Sequence, residues 1–115
     1  MTRKRKNHRT LFIESTDAPT KRDEVLKILR AHKAILAERF GVAELAIFGS
    51  FARDEAGEDS DLDVLVRFEG RATSKGYFGA QFYIEDLLGR PVDLATDKMV
   101  RAEIRPYVEK EAVRV

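Results

Sequence analysis

From Val25 to Phe40 the apolar residues recur every three or four positions: Val25, Leu26, Ile28, Leu29, Ile35, Leu36 and Phe40, with His32 on the same stripe. That period predicts an amphipathic helix from about Lys21 to Arg39, opened by the capping pair Thr20 and Asp23 and stopped at Gly41. The pattern then shortens. "ELAIF" at 44–48, "LDVLVRF" at 62–68 and "PVDLAT" at 91–96 are compact runs rich in apolar and β-branched residues, which read as three strands. Between the first two, "FARDEA" predicts a short helix and "GEDSD" a loop; "GRATSKG" is a second loop. "YFGAQFYIEDLLG" reads as a helix ending at Gly89, with Tyr77, Ala80, Ile84, Leu87 and Leu88 on its apolar side, although Gly79 counts against it. From Lys98 onward Val100, Ile104, Tyr107 and Val108 return to helical spacing, with Pro106 set to kink or restart the helix. "AVRV" adds a short last strand. The order helix, strand, helix, strand, helix, strand, helix implies a layered α/β (α+β) domain.

Composition sets the frame for function. A chain of 115 residues, 43% hydrophobic and 36% charged, builds one domain with a single core. With no cysteine it has neither a disulfide framework nor a Cys-based zinc site, in keeping with the cytoplasm. No apolar run approaches the roughly 20 residues of a membrane span, and no apolar segment follows the basic start as in a secretory signal. The net charge of +1 hides an asymmetry: residues 1–10 hold Arg3, Lys4, Arg5, Lys6 and Arg9 and no acid. We expect residues 1–19 to form a disordered basic arm and residues 20–115 the domain. The mildly acidic body does not read as a nucleic-acid surface, so any contact with RNA or an acidic partner falls to the arm.

The chemistry concentrates in "IFGSFARDEAGEDSDLDVLV", residues 47–66. Strand alternation projects Asp61 and Asp63 to one side, opposite Leu62, Val64 and Val66. Adjacent carboxylates raise each other's pKa, so they either face bulk water or hold a cation. Hard ions such as Mg²⁺ bind through one or two carboxylates together with substrate phosphates. Gly49-Ser50 sits where a strand turns into the expected helix, whose free N–H groups would receive phosphate. Gly49 lets oxygens approach the backbone, and Ser50 adds a hydroxyl donor. Asp93, between Val92 and Leu94, faces away from their buried side and joins the pair if the third strand lies beside the second. Three carboxylates suit a two-metal site.

Blander readings exist for each residue. Asp61 and Asp63 fit a solvated strand end, Asp93 a salt bridge to Arg90, Ser50 a helix cap, and Arg53 an ion pair with Asp54 or Glu55. A calcium loop starting at Asp59 is rejected, because its sixth and twelfth places hold Val64 and Gly70 rather than Gly and Glu. His8 and His32 have no metal-ligand neighbours, and Tyr77, Phe78, Phe82 and Tyr83 read mainly as core.

Gly49-Ser50, ten residues, Asp61-x-Asp63 and a later strand Asp93 resemble the signature of the DNA polymerase beta-type nucleotidyltransferase superfamily. "GSFAR", "DSDLDVLV" and "GRPVDLAT" are similar in particular to the minimal nucleotidyltransferases, the MNT branch, over Glu44 to Val115. The resemblance implies the nucleotidyltransferase fold, a small mixed sheet with flanking helices. It implies Asp61 and Asp63 as metal ligands, Asp93 as ligand and general base, and Gly49 and Ser50 as the triphosphate site. Arg53 would contact phosphate or a partner. Two Mg²⁺ ions and ATP as substrate follow from the same likeness. Asp54 departs from the branch, where many relatives carry Gly, as do a short segment between strands two and three and the basic arm. With no acceptor-binding domain in view, the acceptor is expected on another protein. In the MNT branch that partner is a helical HEPN toxin with RNase activity, silenced when AMP is placed on a tyrosine. The alternatives are an antitoxin that neutralises by covering its partner and an antibiotic-type small-molecule transferase.

Overall fold

The computed structural model describes residues 19–115. In chain order they form α1 (Arg22–Ala31), α2 (Lys33–Phe40), β1 (Val42–Phe48), β2 (Leu62–Phe68), α3 (Ser74–Leu88) and β3 (Val92–Thr96). A 3-10 turn (Asp97–Met99), α4 (Arg105–Glu111) and β4 (Val113–Arg114) complete the chain. The four strands make one sheet in the order β3-β2-β1-β4. The β1–β2 and β1–β4 pairs are antiparallel and β2–β3 is parallel, with α3 as the crossover. This is the mixed α/β architecture expected from the pattern.

Alternation sorts the two faces of the sheet. Leu45, Ile47, Leu62, Val64, Val66, Val92 and Leu94 are buried against Val25, Leu29, Leu36, Phe51, Ile84 and Leu88. Each fully buried aliphatic side chain is worth about 1.5–3 kcal/mol, so this helix-covered face carries the stability. The other face bears Ala46, Phe48, Asp63, Leu65, Arg67 and Asp93, none of them buried, and is free to do chemistry.

Several local expectations give way. The long first helix is two, broken at His32, whose backbone leaves helical geometry (φ −109°, ψ 7°). The His32 ring is held on α3 instead, with Nδ1 2.7 Å from the Tyr83 hydroxyl. The capping pair Thr20 and Asp23 does not form; Lys21 is the N-cap and gives no side-chain bond. The Arg22 N–H donates to Asp54 Oδ1 at 3.0 Å. "FARDEA" is a turn rather than a helix, because Asp54 takes φ +61° and the Glu55 N–H returns to the Ser50 carbonyl at 2.8 Å. A glycine at this place would adopt the same positive φ without strain. The third helix starts at Ser74, earlier than Tyr77, since the Thr73 side chain accepts the Gly76 N–H at 3.0 Å. Gly79 is there for packing: a Cβ would stand 2.5 Å from the Phe40 ring. The last helix is confined to Arg105–Glu111, with Pro106 in its first turn, where a missing N–H costs little. The expected basic arm and His8 lie outside the described residues, apart from Pro19. Among the described residues no helix is long and apolar enough to cross a membrane.

Candidate active site

The parallel register of β2 and β3 sets Asp63 directly opposite Asp93, while the antiparallel register sets Phe48 opposite Asp63. The end of β1 therefore delivers Gly49 to the same spot. Gly49 adopts φ +75°, and a Cβ there would overlap Asp63 Oδ2 and lie 3.2 Å from its Cγ. Only glycine satisfies both demands. Asp61 stands exposed one residue ahead of β2, and Asp93 is exposed on edge strand β3. Ser50 follows in the turn, and its hydroxyl has no hydrogen bond among the described residues. Arg53 closes the turn, donating from Nε to Glu55 Oε1 at 2.9 Å and from Nη1 to Glu111 Oε2 at 2.6 Å. The bland reading of an ion pair with Glu55 thus holds for Arg53 in this structure, whereas the bridge from Arg90 to Asp93 is replaced by other contacts of Arg90.

Burial pushes the Asp63 carboxyl from 3.8 up to about 6, reinforced by the charges of Asp93, Asp61 and Glu111 and opposed by Arg53. Asp63 thus feels the charges of both other aspartates without the three forming a closed cage; among the described residues no group of three such ligands stands ready for an ion. An all-carboxylate donor set packed against a glycine that admits no Cβ fits a hard divalent cation with its phosphates. A groove of about 440 Å³ runs farther along the same face, lined by Glu44, Ala46, Leu65, Arg67, Arg105 and Arg114. It does not include Asp61, Asp63 or Asp93, which sit at the open strand ends.

Residues 29–114 match the family described as nucleotidyltransferase domain. The chain belongs to that family. It is 44% identical over 93 residues to protein adenylyltransferase MntA of Thermococcus cleftensis, covering 81% of this chain and 94% of that protein. A solved structure of a candidate minimal nucleotidyltransferase matches at TM-score 0.66 and 36% identity, over 78% of this chain and 95% of the other. The fold also matches a chain of the complex between a tri-AMPylated Shewanella oneidensis HEPN toxin and its MNT antitoxin. That match has TM-score 0.51 and 15% identity and covers 81% of this chain and 66% of the other, a likeness of fold alone. The protein is thus an enzyme of the nucleotidyltransferase class whose relatives include protein adenylyltransferases.

The positioning roles of Arg90, Tyr77, Gln81 and Glu85 in this nucleotidyltransferase are not assigned by the sequence pattern. Arg90 is buried at 3% exposure. Its Nη1 donates to the carbonyls of Gly57 (3.4 Å), Glu58 (3.3 Å) and Ser60 (2.7 Å), and its Nη2 to Pro19 (2.9 Å). Its guanidinium lies 4.9 Å from the Phe51 ring centroid. Burial pushes its pKa down while Asp61 and Asp59 push it up; the group stays charged and anchors the loop that presents Asp61. Along α3, Tyr77, Gln81 and Glu85 stand four residues apart and face the free edge of β3. Glu85 Oε2 accepts the Val92 N–H at 3.0 Å, Gln81 Nε2 donates to the Val92 carbonyl at 2.9 Å, and the Tyr77 hydroxyl donates to the Leu94 carbonyl. Those bonds fix the residues on either side of Asp93 and blunt an edge strand. Burial and the Asp93 charge both push the Tyr77 hydroxyl pKa up, so it remains a donor. The signal for this stripe was present, as polar residues at i, i+4 and i+8.

Proposed function

We propose that this protein transfers AMP from ATP to a tyrosine hydroxyl of a HEPN-type toxin and so serves as the antitoxin of that pair, in the cytoplasm. The observation that carries the reading is the Asp63–Asp93 register pair with Gly49 packed against it. The relative named as a protein adenylyltransferase and the HEPN–MNT complex support a protein acceptor of the HEPN kind. Asp61, Asp63 and Asp93 would hold Mg²⁺, in two ions. When bound, Mg²⁺ would offset the charge of the triphosphate and favour the departure of pyrophosphate.

The remaining roles belong to the chain itself. The Gly49 N–H, the Ser50 hydroxyl and the Arg53 guanidinium orient the triphosphate. Asp93, exposed at the sheet edge, accepts the proton of the incoming tyrosine hydroxyl. The tyrosine oxygen forms a bond to the α-phosphorus as the bond from that phosphorus to the β-phosphate oxygen breaks, and pyrophosphate leaves. Asp63 and Asp93 share one side because of strand register, so these two carboxylates stand side by side before substrate arrives. We assign this activity to residues 20–115, with the basic arm ahead of the domain.

The test is to incubate the protein with a HEPN partner and Mg²⁺-ATP and weigh the partner. We expect a mass gain of one or more AMP groups, slowed roughly 10²-fold or more by Asp61→Ala or Asp63→Ala. An unchanged partner mass with folded proteins refutes the activity.

A further inference from the structure

Glu111 ends α4, and its carboxylate is seated inside the glycine turn. Its Oε1 accepts the Gly49 N–H at 3.2 Å, and its Oε2 accepts from Arg53 Nη1 at 2.6 Å. These are two of the groups given above to the triphosphate. A carboxylate oxygen and a phosphate oxygen draw on such donors in the same way. The single Gly49 N–H serves one anion at a time and is taken by Glu111, which also holds the Nη1 side of Arg53 while Nε stays on Glu55.

We propose that Glu111 is a built-in competitor: an internal anion that occupies the triphosphate cradle and that the nucleotide must displace. This rests on the reading of Gly49 and Arg53 as part of that cradle. The helix that carries Glu111 buries none of its seven residues, so the side chain can swing out without loss of core contacts. Arg53 keeps a second acid, Glu55, at 2.9 Å, and so remains oriented after Glu111 leaves. Glu111 also adds its negative charge to the field at Asp63. Its departure lowers the negative potential as the phosphates arrive. The device favours polyanions, because a ligand without phosphates offers nothing in exchange for the contacts broken.

The experiment is calorimetric titration of the full chain with Mg²⁺-ATP and with inorganic tripolyphosphate. It compares the parent with Glu111→Gln, which keeps the shape and loses the charge, and Glu111→Ala, which removes the contact. Both variants are expected to bind both ligands about threefold to tenfold more tightly, a gain held modest because the contact is solvent-screened. Equal or weaker binding by the variants, with the parent still binding, overturns the competitor and makes Glu111 a support for Arg53. If parent and variants all fail to bind ATP and tripolyphosphate, the cradle assignment itself fails and the competitor with it.

Discussion

Replacing Asp63 with Asn should stabilise the nucleotide-free protein while abolishing transfer. Burial, Asp93, Asp61 and Glu111 raise the Asp63 carboxyl from 3.8 to about 6, against the pull of Arg53. A folded pKa above the unfolded one means that the folded chain binds the extra proton in that window. Stability therefore falls as pH rises from 3.8 to about 6, and the penalty is complete above it. Two pKa units correspond to about 3 kcal/mol in a dry site. The group is only partly buried, and solvent screening leaves about 1–2 kcal/mol. Asn has nearly the same shape and no charge, so at pH 8 it should recover that amount. For a domain of this size the melting temperature should rise by about 4–8 °C per kcal/mol. At pH 4 the advantage should vanish, because the parent carboxyl is then protonated in the fold. Thermal and urea denaturation at both pH values, with chelator present, measures it. A variant less stable than the parent at pH 8, or equally advantaged at pH 4, would show that the Asp63 charge does not strain the fold.

Two further substitutions probe the scaffold. Gly49→Ala forces a Cβ onto a residue at φ +75° and into Asp63 Oδ2; it should cost about 2 kcal/mol or more and weaken Mg²⁺-ATP binding, read by denaturation and calorimetry. Arg90→Met leaves the carbonyls of Gly57, Glu58 and Ser60 without their shared donor; it should cost about 2–4 kcal/mol and speed hydrogen exchange across residues 57–61.

The acids and the glycine turn were legible because strand alternation and φ-demanding turns leave their mark within a few residues. Asp93 required only that two apolar runs pair in parallel, and their register supplied the rest. The turn after Ser50 was misread as a helix because "FARDEA" has helical propensity; a positive φ at Asp54 is a tertiary outcome, tied to its bond with the Arg22 N–H. That bond also replaces the cap expected from Thr20. The roles of Arg90 and Glu111 could not be read at all. Their partners lie 30 to 71 and 58 to 62 residues away, and a lone charged residue in sequence reads as surface. Gly79 looked like a flaw in a helix until the Phe40 ring came to fill the space beside it.

Asp63 and Asp93, brought side by side by strand register, are expected to bind a divalent cation together with ATP. Paramagnetic resonance titration of Mn²⁺ with and without ATP addresses it directly. The parent should take up Mn²⁺ far more strongly when ATP is present, and Asp63→Asn and Asp93→Asn should each lose that uptake. Uptake by Asp93→Asn equal to the parent's, in folded protein, would show that Asp93 holds no cation with Asp63.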